Sequence, residues 1–228
     1  MIDLWHLTDI DWLSDLSADH AAQLRQSANL QSFAAGEQVF RPDRSPDKVF
    51  VLESGLIRVF RESPDAEEVT FGFIKPGEIF GESVLFRNQA RESQAVAVEP
   101  SAVLALNRDA FKAIMKKNPR ICCSLVRQIE GRFRDIETRV EDLVFRNERN
   151  RLAHILLQLA EKFGSDEHGK IILPVQLTHK DLAALIGASR PTVSLAISEL
   201  QESALIGRQG KHICIADVDR LKQALERL

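Results

Sequence analysis

Three cysteines are all that the 228 residues hold, and they make an odd set: Cys122 and Cys123 are adjacent, Cys214 is distant, and no C-x-x-C spacing occurs. That excludes a disulfide framework and the usual zinc spacings, and it suits a reducing cytoplasm. No run approaches the roughly 18 uncharged apolar residues of a membrane span. The first residues, Met1 to Leu16, scatter acids among apolar side chains and offer no basic region ahead of an apolar stretch, so no secretory signal is expected there. The six histidines, His6, His20, His154, His168, His179 and His212, show no H-x-x-x-H pair, and neither a G-x-S-x-G nor a P-loop pattern is present. Metal-assisted, serine-based and P-loop catalysis are therefore disfavoured, and neither a metal site nor a tightly bound cofactor is expected. Internal repeats and low-complexity tracts are lacking as well.

What is present is ordinary globular material, 44% apolar and 28% charged, long enough for two domains. The net charge of −3 conceals an asymmetry. Residues 1–118 carry 18 acids against 13 bases and residues 119–228 carry 15 against 17, leaving −5 and +2. A nucleic-acid surface is plausible only in the second half.

Along the chain the texture changes twice. Residues 4–30 show a broken helical pattern of leucines and Trp12, read as short helices. From Phe33 onward come short β-branched or aromatic runs: Val39-Phe40, Val49 to Leu52, Leu56 to Phe60, Val69 to Phe73 and Ala95 to Val98. Turn chemistry such as Ser54-Gly55, Ser63-Pro64-Asp65 and Lys75-Pro76-Gly77 separates them. This reads as an antiparallel sandwich or barrel. Past Asn107 no further strand run is expected before the C-terminal domain.

Leu125, Ile129, Phe133, Ile136, Val140 and Leu143 then recur at intervals of 4, 4, 3, 4 and 3, flanked by charged residues. One long amphipathic helix with a coiled-coil seam follows, and the seam would form a homodimer interface. The alternative is a helix packed on its own domain. Another helix is expected near Arg151–Phe163, followed by a loop over Gly164–Gly169.

The segment from Leu177 to Leu200 carries the strongest signal. Thr178 and Asp181 form a capping-box pattern, Ala183 is small where a second helix crosses, and Gly187 suits a left-handed helix end. Ser189 can cap a second helix with Pro191 in its first turn, and Val193 and Ile197 face inward. These features describe a helix-turn-helix, and Leu205–Ile215 reads as a following hairpin, hence a wing. An αα-hairpin without a DNA role is the competing reading. In a DNA-bound helix-turn-helix, the start of the second helix meets base edges, which exposes Arg190, Pro191, Ser194 and Leu195. Arg190 can fork onto guanine. Thr178, His179, Lys180, Ser189, Thr192 and Lys211 are placed for phosphate contacts, although His179 and Ser189 equally suit plain capping.

With these residues in hand, the sequence resembles the cAMP receptor protein (Crp/Fnr) family of bacterial transcription regulators over nearly its whole length. Leu177–Ile206 matches the family's helix-turn-helix without a gap, and Gly36, Gly55, Gly77, Gly81, Glu82, Leu85 and Phe86 fall where the family's sensor β-roll has its turns and ligand cassette. The resemblance implies an α+β fold. Residues 1–118 would form a cyclic-nucleotide-binding-type antiparallel β-roll with flanking short helices, 119–146 a dimerisation helix, and 147–228 a winged helix-turn-helix domain. It also implies double-stranded DNA with a palindromic site, a homodimer and RNA polymerase as partners, and a cytoplasmic location away from membranes.

The cassette from Phe80 to Ser93 makes sense as an anion site. Gly81 permits close approach, a short helix after it offers free N–H groups to a phosphate with Ser83 among the ligand-binding candidates, Glu82 can take a ribose hydroxyl, and Arg91 and Ser93 can donate to phosphate. A charged turn without a ligand is the simpler reading. Two departures bear on the effector. The cAMP-binding members have arginine directly before serine, whereas Glu92 intervenes here between Arg91 and Ser93, and a carboxylate repels phosphate. Ile136 and Glu137 also replace the family's two adenine-reaching hydroxyls. An arginine followed by glutamate resembles the cyclic-di-GMP-responsive branch, in which the carboxylate would accept from guanine. A cyclic dinucleotide and a cyclic mononucleotide are accordingly the candidate effectors, beside another small molecule or none. At the DNA end, Pro191 and Leu195 stand where many relatives have glutamate and a second arginine. The competing function is a β-roll dimer acting mainly through protein contacts, with weak or ligand-independent DNA binding.

Overall fold

The computed structural model describes residues 28–42, 47–86, 90–167, 169–173 and 176–226. The expected short helices of residues 4–30 fall almost wholly outside this range. Two compact units divide the chain at Arg134 and Asp135, with Glu67–Thr70 grouped with the second unit.

The first unit is built on two four-stranded antiparallel sheets. One has the order β1 (Ala28–Phe33), β8 (Ser101–Asn107), β3 (Lys48–Ser54), β6 (Ile79–Phe80); the other has β2 (Gln38–Phe40), β7 (Gln94–Ala97), β4 (Ile57–Glu62), β5 (Glu68–Ile74). β8 lies at the centre of the first sheet, pairing Ala28 with Leu106 on one side and Phe50 with Ala105 on the other. Its apolar run Ala102–Leu106 is buried from Val103 to Leu106, and such a continuous run lacks the alternation that marks a half-exposed strand. Sequence reading placed no strand there, although it placed one on the equally continuous run Val49–Leu52 of β3; Ala102 and Ala105, poor strand formers, weaken the signal of β8.

Two apolar clusters fill this unit. In one, Phe40, Phe50 and Phe80 stack with ring centroids 5.4 to 6.2 Å apart. The other joins Val49, Val51, Leu104 and Leu106 to Phe111 and Ile114 of α2 (Arg108–Lys117) and to Ile121 and Leu125 of α3 (Pro119–Phe145). A short α1 (Ser83–Phe86) adds Val84 and Leu85 to it. The side chain of Asn107 caps α2 by accepting from the amides of Asp109 and Ala110, so the last strand residue starts the helix.

Leu125 requires a correction. It was expected on the dimer seam but is 1% exposed and belongs to this unit's core, with Ile129 packed against it. An apolar stripe cannot say which of its residues the chain's own domain will claim. Outward apolar residues of α3 include Val126, Phe133, Val140 and Val144, spaced by seven, seven and four, and Phe145, the last residue of the helix, is more open still at 82%. Phe133 is 59% and Val140 55% exposed, Leu143 is also open, and Ile136 is half-buried.

The second unit contains α4 (Glu148–Phe163), α5 (His179–Ile186), α6 (Arg190–Glu202) and α7 (Val218–Glu226) around a sheet of order β11 (Ile206–Gln209), β12 (His212–Ile215), β10 (Lys170–Ile172), β9 (Ser165–Glu167). Its core is supplied by Leu152, Leu156, Leu182, Val193, Ile197, Leu200, Ile215 and Leu221. The expected loop after α4 instead holds the exposed strand β9, whose Ser-Asp-Glu sequence carries no β propensity and is set by its pairing with β10. Among the described residues no helix is long and apolar enough to cross a membrane.

Candidate functional site

The cassette forms where β6 runs into α1. Gly81 has φ +68, and a Cβ there would sit 3.1 Å from the Phe50 ring and 3.4 Å from the Arg91 guanidinium, so glycine is what lets the backbone lie over this arginine. Arg91 is 4% exposed. Its guanidinium carbon lies 4.5 Å from the centre of the Phe40 ring and 5.2 Å from that of Phe50, and its Nη2 donates to the backbone oxygen of Lys48. Its Nε is buried with no hydrogen-bond partner among the described residues. Burial pulls the arginine below its ordinary pKa, against the opposing pull of Asp47 and Glu82, but an arginine stays charged in this setting. A buried donor left unsatisfied costs about 1–3 kcal/mol, which an anion arriving at the cassette would relieve.

Glu82 is held from α3: Arg132 Nη1 donates to its Oε1 at 3.2 Å, while Nη2 donates to the Ile79 oxygen and lies 4.0 Å from Glu78. Gln128, one turn earlier, accepts from the amide of Ile79 at 2.9 Å. Neither Arg132 nor Gln128 was singled out in the sequence, where both look like solvated flanks of the helix. Ser83 is exposed at the start of α1, and Ser93 is half-buried next to β7. Glu92 is placed differently. It is exposed and pairs with Arg61 of β4, while Arg91 beside it is buried, so the two neighbours leave the chain in different directions.

In the second unit the helix-turn-helix follows its capping chemistry closely. Thr178 accepts from the Asp181 amide at 3.1 Å while Asp181 accepts from the Thr178 amide at 2.9 Å, a complete capping box. Gly187 ends α5 at φ 62, ψ 48, and a Cβ there would meet Leu143 at 3.1 Å. Ser189 accepts from the Thr192 amide at 3.3 Å to start α6, with Pro191 in the first turn. Arg190, Pro191 and Leu195 are exposed, Leu195 by 62%, and no ion pair among the described residues holds Arg190. Lys211 is exposed at the tip of the β11–β12 hairpin, beside Gly210 at φ 61. The Thr192 hydroxyl lies 2.8 Å from that of Ser189, and Lys180 Nζ pairs with Glu68 at 2.7 Å.

His179 does not stand open to solvent. Its Nδ1 is 2.8 Å from Ser194 Oγ, and its Nε2 is 3.2 Å from Nη2 of Arg208 on β11. Burial first, then the charges of Arg208 and Arg190, hold the imidazole below the ordinary histidine range. Asp142, near the end of α3, is 7% exposed and accepts from Arg146 Nε at 2.7 Å while lying 2.5 Å from His154 Nδ1 of α4. The i, i+4 spacing of Asp142 and Arg146 was readable; the partnership with His154 twelve residues on was not.

The chain matches two family models, the cyclic nucleotide-binding domain over residues 30–118 and the Crp-like helix-turn-helix domain over residues 150–224. It is 31% identical over 200 residues to a CRP-like cAMP-activated global transcriptional regulator of Mycobacterium tuberculosis, covering 88% of this chain and 89% of that protein. It is 32% identical over 174 residues to the cyclic AMP receptor protein of Thermus thermophilus, covering 76% and 77%. Among solved structures, the c-di-GMP responsive global regulator CLP of Xanthomonas campestris superposes with a TM-score of 0.75 at 21% identity, covering 87% of this chain and 99% of that one, a likeness of fold. By the match of both domain models and the likeness to the Mycobacterium tuberculosis regulator over most of both chains, the chain belongs to the Crp/Fnr family of transcription regulators.

Proposed function

We propose that the protein is a cytoplasmic, homodimeric transcription regulator whose affinity for a palindromic DNA site is set by a cyclic nucleotide bound in the β-roll, with RNA polymerase as its partner at the promoter. The observation that carries the effector assignment is Arg91, a buried guanidinium under Gly81 whose Nε has no partner among the described residues. Phosphate is the ligand chemistry that satisfies it, and Glu82, already oriented by Arg132, is left to take a sugar hydroxyl. Names of relatives point both ways, since the Mycobacterium protein is called cAMP-activated and the Xanthomonas one c-di-GMP responsive. The outward pairing of Glu92 with Arg61 supports a mononucleotide, because Glu92 neither faces the phosphate site nor offers itself to a guanine edge there.

Calorimetry with a panel of cyclic mono- and dinucleotides tests this. One member should bind, and Arg91→Ala should weaken it by at least tenfold, as a charge-assisted hydrogen bond worth about 1.5–3 kcal/mol requires. Glu92→Ala should leave a mononucleotide unaffected; a loss of about 1–3 kcal/mol would instead identify the dinucleotide arrangement. Binding of no panel member, or undiminished binding by Arg91→Ala, contradicts the assignment.

A further inference from the structure

Three elements of the DNA-binding unit meet at one imidazole. His179 opens α5, Ser194 lies one turn into α6, and Arg208 stands on β11, the first strand of the wing. The hydrogen bonds among them have only one consistent polarity. A guanidinium donates and never accepts, so Nε2 of His179, 3.2 Å from Arg208, must be unprotonated. Nδ1 then carries the proton and donates to Ser194 Oγ at 2.8 Å. The Ser194 hydroxyl in turn donates to the Arg190 backbone oxygen at 3.0 Å, in the first turn of α6. A chain of donors thus runs from the wing arginine through a neutral histidine to the start of the recognition helix.

Burial and the nearby charges of Arg208 and Arg190 keep the imidazole neutral. On its own helix Lys180 is paired with Glu68, and the carboxylate of Asp181 is occupied by Thr178, so neither supplies an acid to the ring. Arg208 itself is exposed. Nothing in the amino-acid sequence marks it, since a lone arginine in a hairpin looks like surface.

We propose that Arg208 is a DNA-phosphate contact on the wing, and that neutral His179 is the positioning residue that holds it in register with the recognition helix. The inference rests on the reading of this unit as DNA-binding. It separates His179 from the phosphate contacts proper, because its two ring nitrogens are spent inside the protein. Phosphate contacts act through counterion release, so each one removed lowers the slope of log affinity against log salt by about one. A structural residue that merely loosens the fold lowers affinity without that signature.

The experiment measures binding of a mixed-sequence fluorescent duplex by the full chain across a salt series, for the wild type, Arg208→Ala, His179→Ala, His179→Gln and the Arg208→Ala/His179→Ala double variant. Arg208→Ala should reduce the slope by about one. His179→Ala should reduce it equally although it removes no charge, and the double variant should match either single variant. His179→Gln, which still offers one donor and one acceptor, should restore most of the slope. Nitrogen-15 spectra of wild-type His179 should show protonated Nδ1 and bare Nε2. Slopes that add in the double variant, a His179→Ala slope equal to wild type, or a proton on Nε2 would each overturn the proposal. A wild type with no salt-dependent binding would overturn the DNA-binding reading itself, and with it this inference.

Discussion

Arg190 and Pro191 open α6 side by side, and in the proposed DNA complex they would share the reading of DNA unequally. Pro191 has no polar side-chain atom and exposed Leu195 offers only apolar contact, so direct base readout would fall on the Arg190 guanidinium, which no ion pair among the described residues holds. Each half-site should depend on one strong G·C pair, with discrimination of about 1–3 kcal/mol. A binding-site selection with Arg190→Ala should return a motif in which that guanine is no longer enriched. An unchanged motif would show that another residue reads it. At this scale the caps were legible from the sequence because they are local: Thr178 reaches three residues to Asp181, and Ser189 three residues to Thr192. The cassette was only half legible. Arg91 and Glu92 are adjacent and looked like joint members of one site, yet Glu92 is drawn off by Arg61, thirty-one residues away. Pairings of that sequence separation leave no trace in a local pattern, and the same holds for Arg132 with Glu82 and Arg208 with His179.

Among the elements, α3 does two jobs that its 27 residues express in one stripe. Ile121 and Leu125 are spent on the first unit's core, whereas Val126, Phe133, Val140 and Val144 remain outward. Exposed large apolar side chains at heptad-like spacing have no favourable solvent-facing role, and a second copy of the same helix would cover them. Phe133→Glu together with Val140→Glu should therefore place like charges opposite one another and convert a dimer into a monomer, as light scattering at micromolar concentration would report. Because both side chains are already exposed in the single chain, the monomer should keep its helical circular dichroism. A wild type that is monomeric, or a double variant that still dimerises, would refute the role of this face. The helical period made the stripe visible; which residues turn inward depended on strands far away in the chain. Likewise the short β-branched or aromatic runs revealed β2 to β5 and β7, while β8, whose run is diluted by alanine, and the wholly polar β9 escaped.

For the whole molecule, composition already separated an acidic first half from a slightly basic second half, and the two family matches fall on either side of that division, at 30–118 and 150–224. The order of parts was therefore readable before any geometry. The effector was not, because its recognition depends on which of several charges turn into the cassette. A nucleotide held at Arg91 should change what Arg190 does on DNA, and the direct measurement is the affinity of the full chain for its selected duplex across a salt series, with and without saturating cyclic nucleotide. One nucleotide should raise affinity for the selected site at every salt concentration, the gain should disappear in Arg91→Ala, and log affinity should fall linearly with log salt throughout. Affinity that is the same with and without every nucleotide, while DNA binding itself persists, would contradict that coupling.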